Sequence, residues 1–533
     1  MADEKKLFLG LDSSTQGLKC TIIDEALNTV YERAINFDRD LPRFGTKGGV
    51  KVAADGLTVT SPALMWVAAL DLLLEQMRAD GAPLAQVRAI SGSGQQHGSV
   101  WLNAKAEGKL RNLQADQSLE AQLADIFSIA DSPVWMDSST GTQCAAREKA
   151  LGGAQAVADL TGSRAYERFT GNQIAKIHEH QPAAYAATSR IALVSSFIPS
   201  LLIGGFAPID ASDGSGMNLM DIRSKTWSTA ALDCTAPGLA AKLGHIVASH
   251  ERAGMLHNSF SQRYGFAADV QVIAFSGDNP NSLAGLRLQD PGDVAISLGT
   301  SDTVFGFLAE ARPSASEGHI FANPVAPDAY MAMLCYKNGS LTREFIRDQS
   351  ANGSWKTYAQ HLAASPVGNG GCIGFYICDP EITPPILKTG IWRFDAAGKP
   401  VNRFEPAQDC RAVYEGQFLS MRLHGRNVGF KPHRILATGG ASVDMSLIRV
   451  MADVLGAPVF VAEKADSASL GAAYRALHGW RCLKAGGFVP YGEILKTAAP
   501  FKQVATPDAG AHAIYTAMLE RYAVLEKQVV KGE

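Results

Sequence analysis

Apolar residues in this chain fall in short blocks that break on glycine and hydroxyl residues, and at two places the same arrangement recurs. The first runs Leu7-Phe8-Leu9-Gly10-Leu11, then Asp12-Ser13-Ser14-Thr15-Gln16-Gly17, then an apolar return through Cys20-Thr21-Ile22-Ile23. The second runs Val294-Ala295-Ile296-Ser297-Leu298, then Gly299-Thr300-Ser301-Asp302, then Thr303-Val304-Phe305. Each predicts strand, tight turn, strand. Between them, Leu64, Val67, Ala68, Leu72 and Leu73 recur at helical spacing and predict a helix over Ser61–Ala79, while Val87-Arg88-Ala89-Ile90 predicts a strand. Further on, Arg434–Thr438 reads as a buried strand that ends in Gly439-Gly440, with a helix following over Met445–Leu455. Ala511–Lys527 reads as a terminal helix docked on the second half, and the glycine-rich run Ala363–Gly374 as a surface loop.

Strands alternating with helices imply an α/β layered fold. The repeated hairpin, separated by more than half the chain, implies two related domains that meet near Gln289-Asp290-Pro291-Gly292, giving expected domains 1–289 and 290–533. A chain of 533 residues is also too long for one hydrophobic core.

Composition removes several function classes. Lysine and arginine number 49 against 52 acidic residues, a net charge of -3 with no long basic run, so no electrostatic footprint for nucleic acid is expected. The eight cysteines contain no Cys-x-x-Cys pair and read as free thiols of a reducing compartment. The charged N-terminal stretch Met1–Lys6 leads into a block too short for a signal-peptide core, and no apolar run reaches membrane-spanning length. The expected location is cytoplasmic, with neither a membrane nor an obligate protein partner.

Nucleotide-binding motifs of the common kinds are missing: there is no Gly-x-x-x-x-Gly-Lys-Ser/Thr, and Gly92-Ser93-Gly94-Gln95-Gln96-His97-Gly98 has the wrong spacing for a dinucleotide turn. The two hairpins offer another way to hold phosphate. Their glycines let consecutive backbone N–H groups point at phosphate oxygens, Ser14, Thr15, Thr300 and Ser301 add hydroxyls, and Lys19 adds charge. Two facing hairpins would grip a triphosphate from both domains. Asp12, at the end of the first strand, would repel phosphate unless a divalent cation intervened, and is the candidate magnesium residue. An ordinary hairpin with Asp and Ser turn bonds is the competing account of Asp12-Ser13-Ser14-Thr15; the repetition favours the phosphate reading.

Asp278, in Ser276-Gly277-Asp278-Asn279-Pro280, follows the apolar run Val270–Ala274 and is placed to accept the proton of an attacking sugar hydroxyl, with Asn279 fixing a neighbouring one. A helix N-cap is the alternative. Gln96 and His97 offer the amide and imidazole hydrogen bonds a polyol needs, although a lone loop histidine is more often structural. Trp355 either stacks on a base or packs at the core rim, and Gly439-Gly440 either admit a nucleoside or simply start a helix. His178-Glu179-His180 is rejected as a metal site, because histidines two apart on a helix do not converge.

Together Phe37–Pro42, Gly92–Gly98, Glu167–Gln173, Ser276–Pro280 and Ala437–Ser442 resemble the FGGY carbohydrate kinases, from Leu7 to about Trp480. The resemblance implies two actin-like, ribonuclease H-like domains with the active site in the cleft between them, the N-terminal one binding sugar and the C-terminal one binding nucleotide. It implies transfer from MgATP to a ketose, D-xylulose by the most similar motifs, with Asp278 as base and His97, Arg168, Asp278 and Asn279 on the sugar. It assigns Asp12 and Thr15 to the first phosphate hairpin, Gly299 and Thr300 to the second, Gly439 and Gly440 to the adenosine loop, and Trp355 to the nucleotide side. Asp444 stands where such kinases often carry asparagine. A kinase for ribulose, gluconate or glycerol is the alternative within the family, and a non-catalytic ATP or sugar sensor the alternative outside enzymes.

Overall fold

In the computed structural model, which describes residues 5–462 and 467–532, the first hairpin is formed by β1 (Leu7–Ser13) and β2 (Gly17–Asp24), antiparallel from Leu7 opposite Asp24 to Ser13 opposite Leu18. The first four residues of the charged N-terminal stretch lie outside the described residues. β3 (Thr29–Asn36) continues the meander, β4 (Val87–Gly94) lies parallel to β1, and β5 (Arg252–Met255), β6 (Gln271–Ile273) and β7 (Ser276–Gly277) complete the sheet. The order is β5-β6-β4-β1-β2-β3, with β7 also on β4. All seven residues of β1 are buried, the pattern of a central strand covered on both faces.

The second hairpin, β8 (Asp293–Leu298) and β9 (Asp302–Leu308), is joined by β10 (Tyr330–Tyr336), β11 (Arg434–Thr438), β12 (Val459–Val461) and β13 (Lys502–Ala505), in the order β10-β9-β8-β11-β12-β13. Set beside β3-β2-β1-β4-β6-β5, the plan is the same. An antiparallel hairpin is followed by two strands parallel to its first strand, then by an antiparallel edge strand. This is the doubling that the repeated hairpins predicted.

The helices correct several details. The helix expected from Ser61 starts later: α1 spans Ala63–Ala79, because Ser61 and Pro62 belong to a short strand, Val59–Pro62. It packs Trp66, Leu70 and Leu73 into the core under β1 and β2. Asp278 opens α2 (Asp278–Gly285), immediately after β7, with Gly277 and not Asp278 at the N-cap. The glycine-rich run expected as a surface loop instead coils tightly over Val367–Gly371 and enters a fully buried strand, Ile373–Ile377. Four successive positive φ values, at Gly368, Asn369, Gly370 and Gly371, allow the coil, and the Gly368 N–H donates to the buried Glu415 carboxylate at 3.0 Å. In the second unit the long α3 (Pro406–Val428), α4 (Met445–Leu455) and the terminal α6 (Ala509–Lys531) surround the sheet.

The chain forms two compact units, Met1–Gln289 with Ile320–Tyr330 and Asp466–Ala498, and Asp290–His319 with Met331–Ala465 and Ala499–Glu533. The first crossing lies between Gln289 and Asp290. The continuous second domain expected over 290–533 is, however, interrupted by two returns to the first unit. The later return carries α5 (Ser467–Ala485), a helix so rich in small residues that it lies directly on β1. A Cβ at Gly10 would come within 2.2 Å of the Ser469 carbonyl oxygen, and Thr21 and Ser469 share a 2.9 Å hydroxyl contact. Arg475 of α5 is fully buried and donates to Asn281 and to the Ser249 and Ala274 carbonyls, so hydrogen bonds offset its desolvation. Among the described residues the eight cysteines are all free, and no helix is long and apolar enough to cross a membrane.

Candidate active site

Three parallel strands of the first unit end in one row. Asp12 of β1 is level with Ser93 of β4, which is level with Ser276 of β7; one step on, Ser13, Gly94 and Gly277 are level. Ligands of open α/β sheets collect at such carboxyl ends. Asp12 and Asp278, distant in sequence, thus both emerge at this edge, and the buried Asp12 carboxylate accepts a 2.6 Å bond from Ser93 Oγ. In the adjoining turn, Ser14 donates to the Gly17 carbonyl, and the Trp135 indole N–H donates to Thr15 Oγ1 at 2.8 Å. Lys19 faces Asp12 across the hairpin register.

The turn after β4 carries Gln96 and His97, both buried. His97 adopts a left-handed φ of 67°, uncommon for a residue with a side chain and typical of residues held for a purpose. Its ring lies 4.6 Å from that of Phe169, and Nδ1 is 2.9 Å from the Gly216 carbonyl, which fixes Nδ1 as the protonated nitrogen and leaves Nε2 an acceptor. Burial, reinforced by the nearby Arg168 guanidinium, pushes its pKa down to about 3, so the ring is neutral.

Asp278, the first residue of α2, receives the Asn279 backbone N–H at 2.8 Å and the Asn279 side-chain amide at 3.1 Å. Desolvation outweighs these bonds and pushes the carboxyl up to about 6. It remains ionised at neutral pH yet is far more basic than an exposed aspartate, as proton abstraction requires. The same Asn279 amide donates to Gln96 Oε1 at 2.9 Å, so the substrate candidates Gln96 and Asn279 and the candidate base form one network. Gly277 makes this possible: a Cβ there would meet Gln96 Cγ at 2.5 Å and Asp213 Oδ1 at 2.8 Å.

In the second unit, Gly299, Thr300 and Ser301 form the turn of the β8–β9 hairpin, and Gly439-Gly440 follow β11, the parallel neighbour of β8. Gly439 has a φ of 83°, and a Cβ on it would meet the Leu298 carbonyl oxygen at 2.5 Å, so the turn fits only without a side chain. Trp355 opens the helix Trp355–Ala364, exposed, with the Arg347 guanidinium 4.9 Å from its ring. It is linked through Tyr358 and Tyr414 to Asp444, which accepts the Tyr414 hydroxyl at 2.8 Å and caps α4.

Reading along the sequence missed Asp213, Ser93, Ser195, Trp135 and Gly216. Asp210-Ala-Ser-Asp213-Gly-Ser-Gly216, a run of small polar residues after an apolar pair, carried a detectable signal of the kind that singled out Gly92–Gly98. Ser195 carried none, its partner being 18 residues away, and Ser93, although inside the Gly92–Gly98 run, takes its role from Asp12, 81 residues away.

The FGGY family of carbohydrate kinases matches this chain in two parts, its N-terminal domain over residues 128–285 and its C-terminal domain over residues 294–480. The chain belongs to that family. Mouse xylulose kinase is 51% identical over 529 residues, covering 99% of this chain and 95% of the mouse protein. Two solved structures from Lactobacillus acidophilus share the fold: a ligand-bound xylulose kinase, TM-score 0.77 at 18% identity over 98% of both chains, and a gluconate kinase, TM-score 0.78 at 18% identity over 99% of this chain and 98% of the other. As a member of the family, this FGGY kinase is an ATP-dependent sugar kinase.

Proposed function

We propose that this FGGY kinase phosphorylates D-xylulose at its terminal hydroxyl, giving D-xylulose 5-phosphate and ADP, with Asp278 as general base. The observation that carries the reading is the Asp278 carboxylate, held by Asn279 at the strand row that also bears Asp12 and pushed up to about 6. The near-complete match to mouse xylulose kinase at 51% identity supports the choice of sugar.

In this reading His97, Arg168, Gln96 and Asn279 hold the open-chain ketose. His97 Nε2 accepts from a hydroxyl, Arg168 donates, and the Gln96–Asn279 pair orients the end that reacts. Asp278 takes the proton of the terminal hydroxyl as its oxygen bonds to the γ-phosphorus, and the bond to the β-phosphate oxygen breaks with ADP as leaving group. No covalent enzyme intermediate is needed. Ser14, Thr15 and Lys19 of the first hairpin and Gly299 and Thr300 of the second are assigned to the phosphates, Gly439, Gly440 and Trp355 to the nucleoside. Most of the rate then comes from positioning and from donors aimed at charge on the transferring group.

Asp12 suits a magnesium ion that arrives with nucleotide, since such ions use one or two carboxylates together with substrate phosphates. Among the described residues no group of three or more His, Cys, Asp or Glu could form a self-sufficient metal cage, and a single buried carboxylate beside Ser93 fits the shared kind. When bound, the ion would neutralise phosphate charge. A cytoplasmic location belongs to this reading, since the described cysteines form no disulfide.

The test is ADP release with MgATP and D-xylulose, L-xylulose, D-ribulose, L-ribulose, gluconate, glycerol or no sugar, for wild type and Asp278→Asn. D-xylulose is expected to stimulate most, and the substitution to lower kcat at least about 100-fold. Preference for another sugar overturns the substrate, and an active Asp278→Asn overturns the base.

A further inference from the structure

Asp213 belongs to none of the assigned groups, yet it closes the network around Asp278. Its side chain is buried, on the short helix Ala211–Gly214. Oδ2 receives Ser195 Oγ at 2.5 Å, and Oδ1 receives Gln96 Nε2 at 3.5 Å. The second contact sets a direction. A carboxyl oxygen that accepts from Gln96 Nε2 forces Gln96 Oε1 to the opposite side, where it accepts from Asn279 Nδ2 at 2.9 Å. Asn279 must then present its amide N–H groups, not its carbonyl, and that same amide donates to Asp278 Oδ1 at 3.1 Å. Gln and Asn amides are nearly symmetric in shape, so only the end of such a chain decides which way they point.

We propose that Asp213 is a positioning residue for phosphoryl transfer: by accepting from Gln96 it fixes the orientation of the Gln96 and Asn279 amides, and so the donor that holds the Asp278 carboxylate in place. The proposal rests on Asp278 as the base. Asp213 touches neither sugar nor phosphate in this reading; it acts through two side chains that do.

The charged groups facing Asp213 are Asp210, from the strand Ile209–Asp210, Asp278 from α2, and Arg475 from α5. Burial pushes Asp213 up to about 8; the Ser195 bond lowers it, and the two neighbouring aspartates raise it further. A largely protonated Asp213, with its proton on Oδ2 and shared with Ser195 Oγ, adds no full negative charge beside Asp278 at neutral pH and leaves Oδ1 to accept from Gln96. Asparagine at this position has the same shape but brings two N–H donors. Its amide can donate to Gln96 Oε1, turning Gln96 around and with it Asn279. Asp278 then loses the donor that lowers its proton affinity.

The experiment is a double-substitution cycle on the full chain, with kcat, KM for D-xylulose and the pH profile of kcat as readouts. Asp213→Asn is expected to lower kcat about 10- to 100-fold, the usual cost of losing an outer partner that orients a reacting side chain. The acid limb of the profile should move to higher pH, because Asp278 is harder to ionise. In Gln96→Met, where the relay is already cut, adding Asp213→Asn should change kcat less than about twofold, the mark of two residues acting as one unit. Full-sized effects of Asp213→Asn in both backgrounds, or a wild-type kcat and acid limb in the single variant, would overturn the proposal. Should Asp213→Asn not fold, Ser195→Ala, which frees Asp213 Oδ2, carries the same cycle with a smaller expected effect. Asp278→Asn, assayed alongside, separates the two failures: if it stays active the base assignment falls and this proposal with it, whereas an inactive Asp278→Asn beside a normal Asp213→Asn removes only the role of Asp213.

Discussion

The β1–β2 and β8–β9 hairpins share a sequence grammar, a sheet position and a parallel neighbour, but they use their aspartates in opposite ways. In the first hairpin Asp12 is the penultimate residue of the incoming strand, held by a neutral hydroxyl from Ser93. In the second, Asp302 is the first residue of the outgoing strand, fully buried, and gripped by Arg343 through bonds of 2.6 and 3.0 Å. In the proposed function the first carboxylate serves a ligand. The second has its charge cancelled inside the protein, and Arg343 reaches on to Gln417 of α3, so the hairpin turn is tied to one of the two longest helices of its unit. A repeated fold thus places a carboxylate near the same turn twice, in the first case bonded to a hydroxyl and in the second tied by an arginine.

The largest expected effect comes from breaking the structural member. Arg343→Met leaves Asp302 buried without its counter-charge, which typically costs about 3–5 kcal/mol. The thermal midpoint of the second unit should fall by about 10 °C, at roughly 2–4 °C per kcal/mol for a unit of this size, followed by circular dichroism. Arg343→Met combined with Asp302→Leu should recover a substantial part, since an apolar pair removes the stranded charge. Equal destabilisation by the single and double variants would mean that the ion pair is not what anchors the turn.

The matching change in the first hairpin should leave the fold almost untouched. Asp12→Asn keeps the shape and can still bond to Ser93, so the midpoint should stay within about 2 °C. kcat should nonetheless fall about 100-fold, roughly 2.7 kcal/mol of lost transition-state stabilisation, and raising magnesium should restore part of it. A large midpoint shift with near-normal kcat would give Asp12 the structural role and erase the contrast.

What was legible along the chain follows the same division. The hairpins, the Gly-Gly turn and the Asp278-Asn279 pair were readable because glycine, hydroxyl and apolar residues sit next to one another in the sequence that builds them. The Asp302–Arg343 pair was not, because its halves are 41 residues apart and neither is unusual alone. Nor was the return of α5 to the first sheet: small residues at Ser469, Gly471, Ala472 and Ala473 suit any close-packed helix, and only the glycines at Gly10 and Gly285 opposite them specify the partner. The Ala363–Gly374 run misled for a related reason, since glycine marks a tight turn whether the turn lies outside or, as here, against Glu415. Asp213 was missed because its meaning depends on Gln96, which is 117 residues away.

The second unit's internal ion pairs also give it a pH signature. His424 of α3 lies between Glu317, 2.7 Å from Nδ1, and Glu526 of α6, 3.2 Å from Nε2. Burial alone would depress its pKa, but the two carboxylates overcome it and raise it to about 9. A histidine whose pKa is higher folded than unfolded contributes in full below about 6.5, and that contribution declines as pH rises towards about 9, by up to about 3 kcal/mol. The midpoint of wild type should therefore fall across this window, and His424→Gln should flatten the decline. An unchanged slope in the variant would place the pH dependence elsewhere.

The smallest effect is expected where the two units' strand-end turns differ most quietly. After β4 the turn sends Gln96 to Asn279, into the candidate site; after β11 the corresponding turn ends in Asp444, whose Oδ1 accepts from the Ser446 and Leu447 N–H groups of α4 while Oδ2 accepts from Tyr414. Both oxygens are engaged by the protein, so the side chain acts as a helix cap. Asp444→Asn should keep the cap, because the two residues cap almost equally well. It exchanges the charged acceptor of the Tyr414 hydroxyl for an amide that donates to it, a cost below about 1 kcal/mol. KM for ATP should change less than about threefold, and Asp444→Ala, which loses both bonds, should cost about 1–2 kcal/mol of stability with a similarly small effect on KM. A tenfold change in KM for ATP from Asp444→Asn at unaltered stability would instead put this residue on the nucleotide and make the two turns functional counterparts after all.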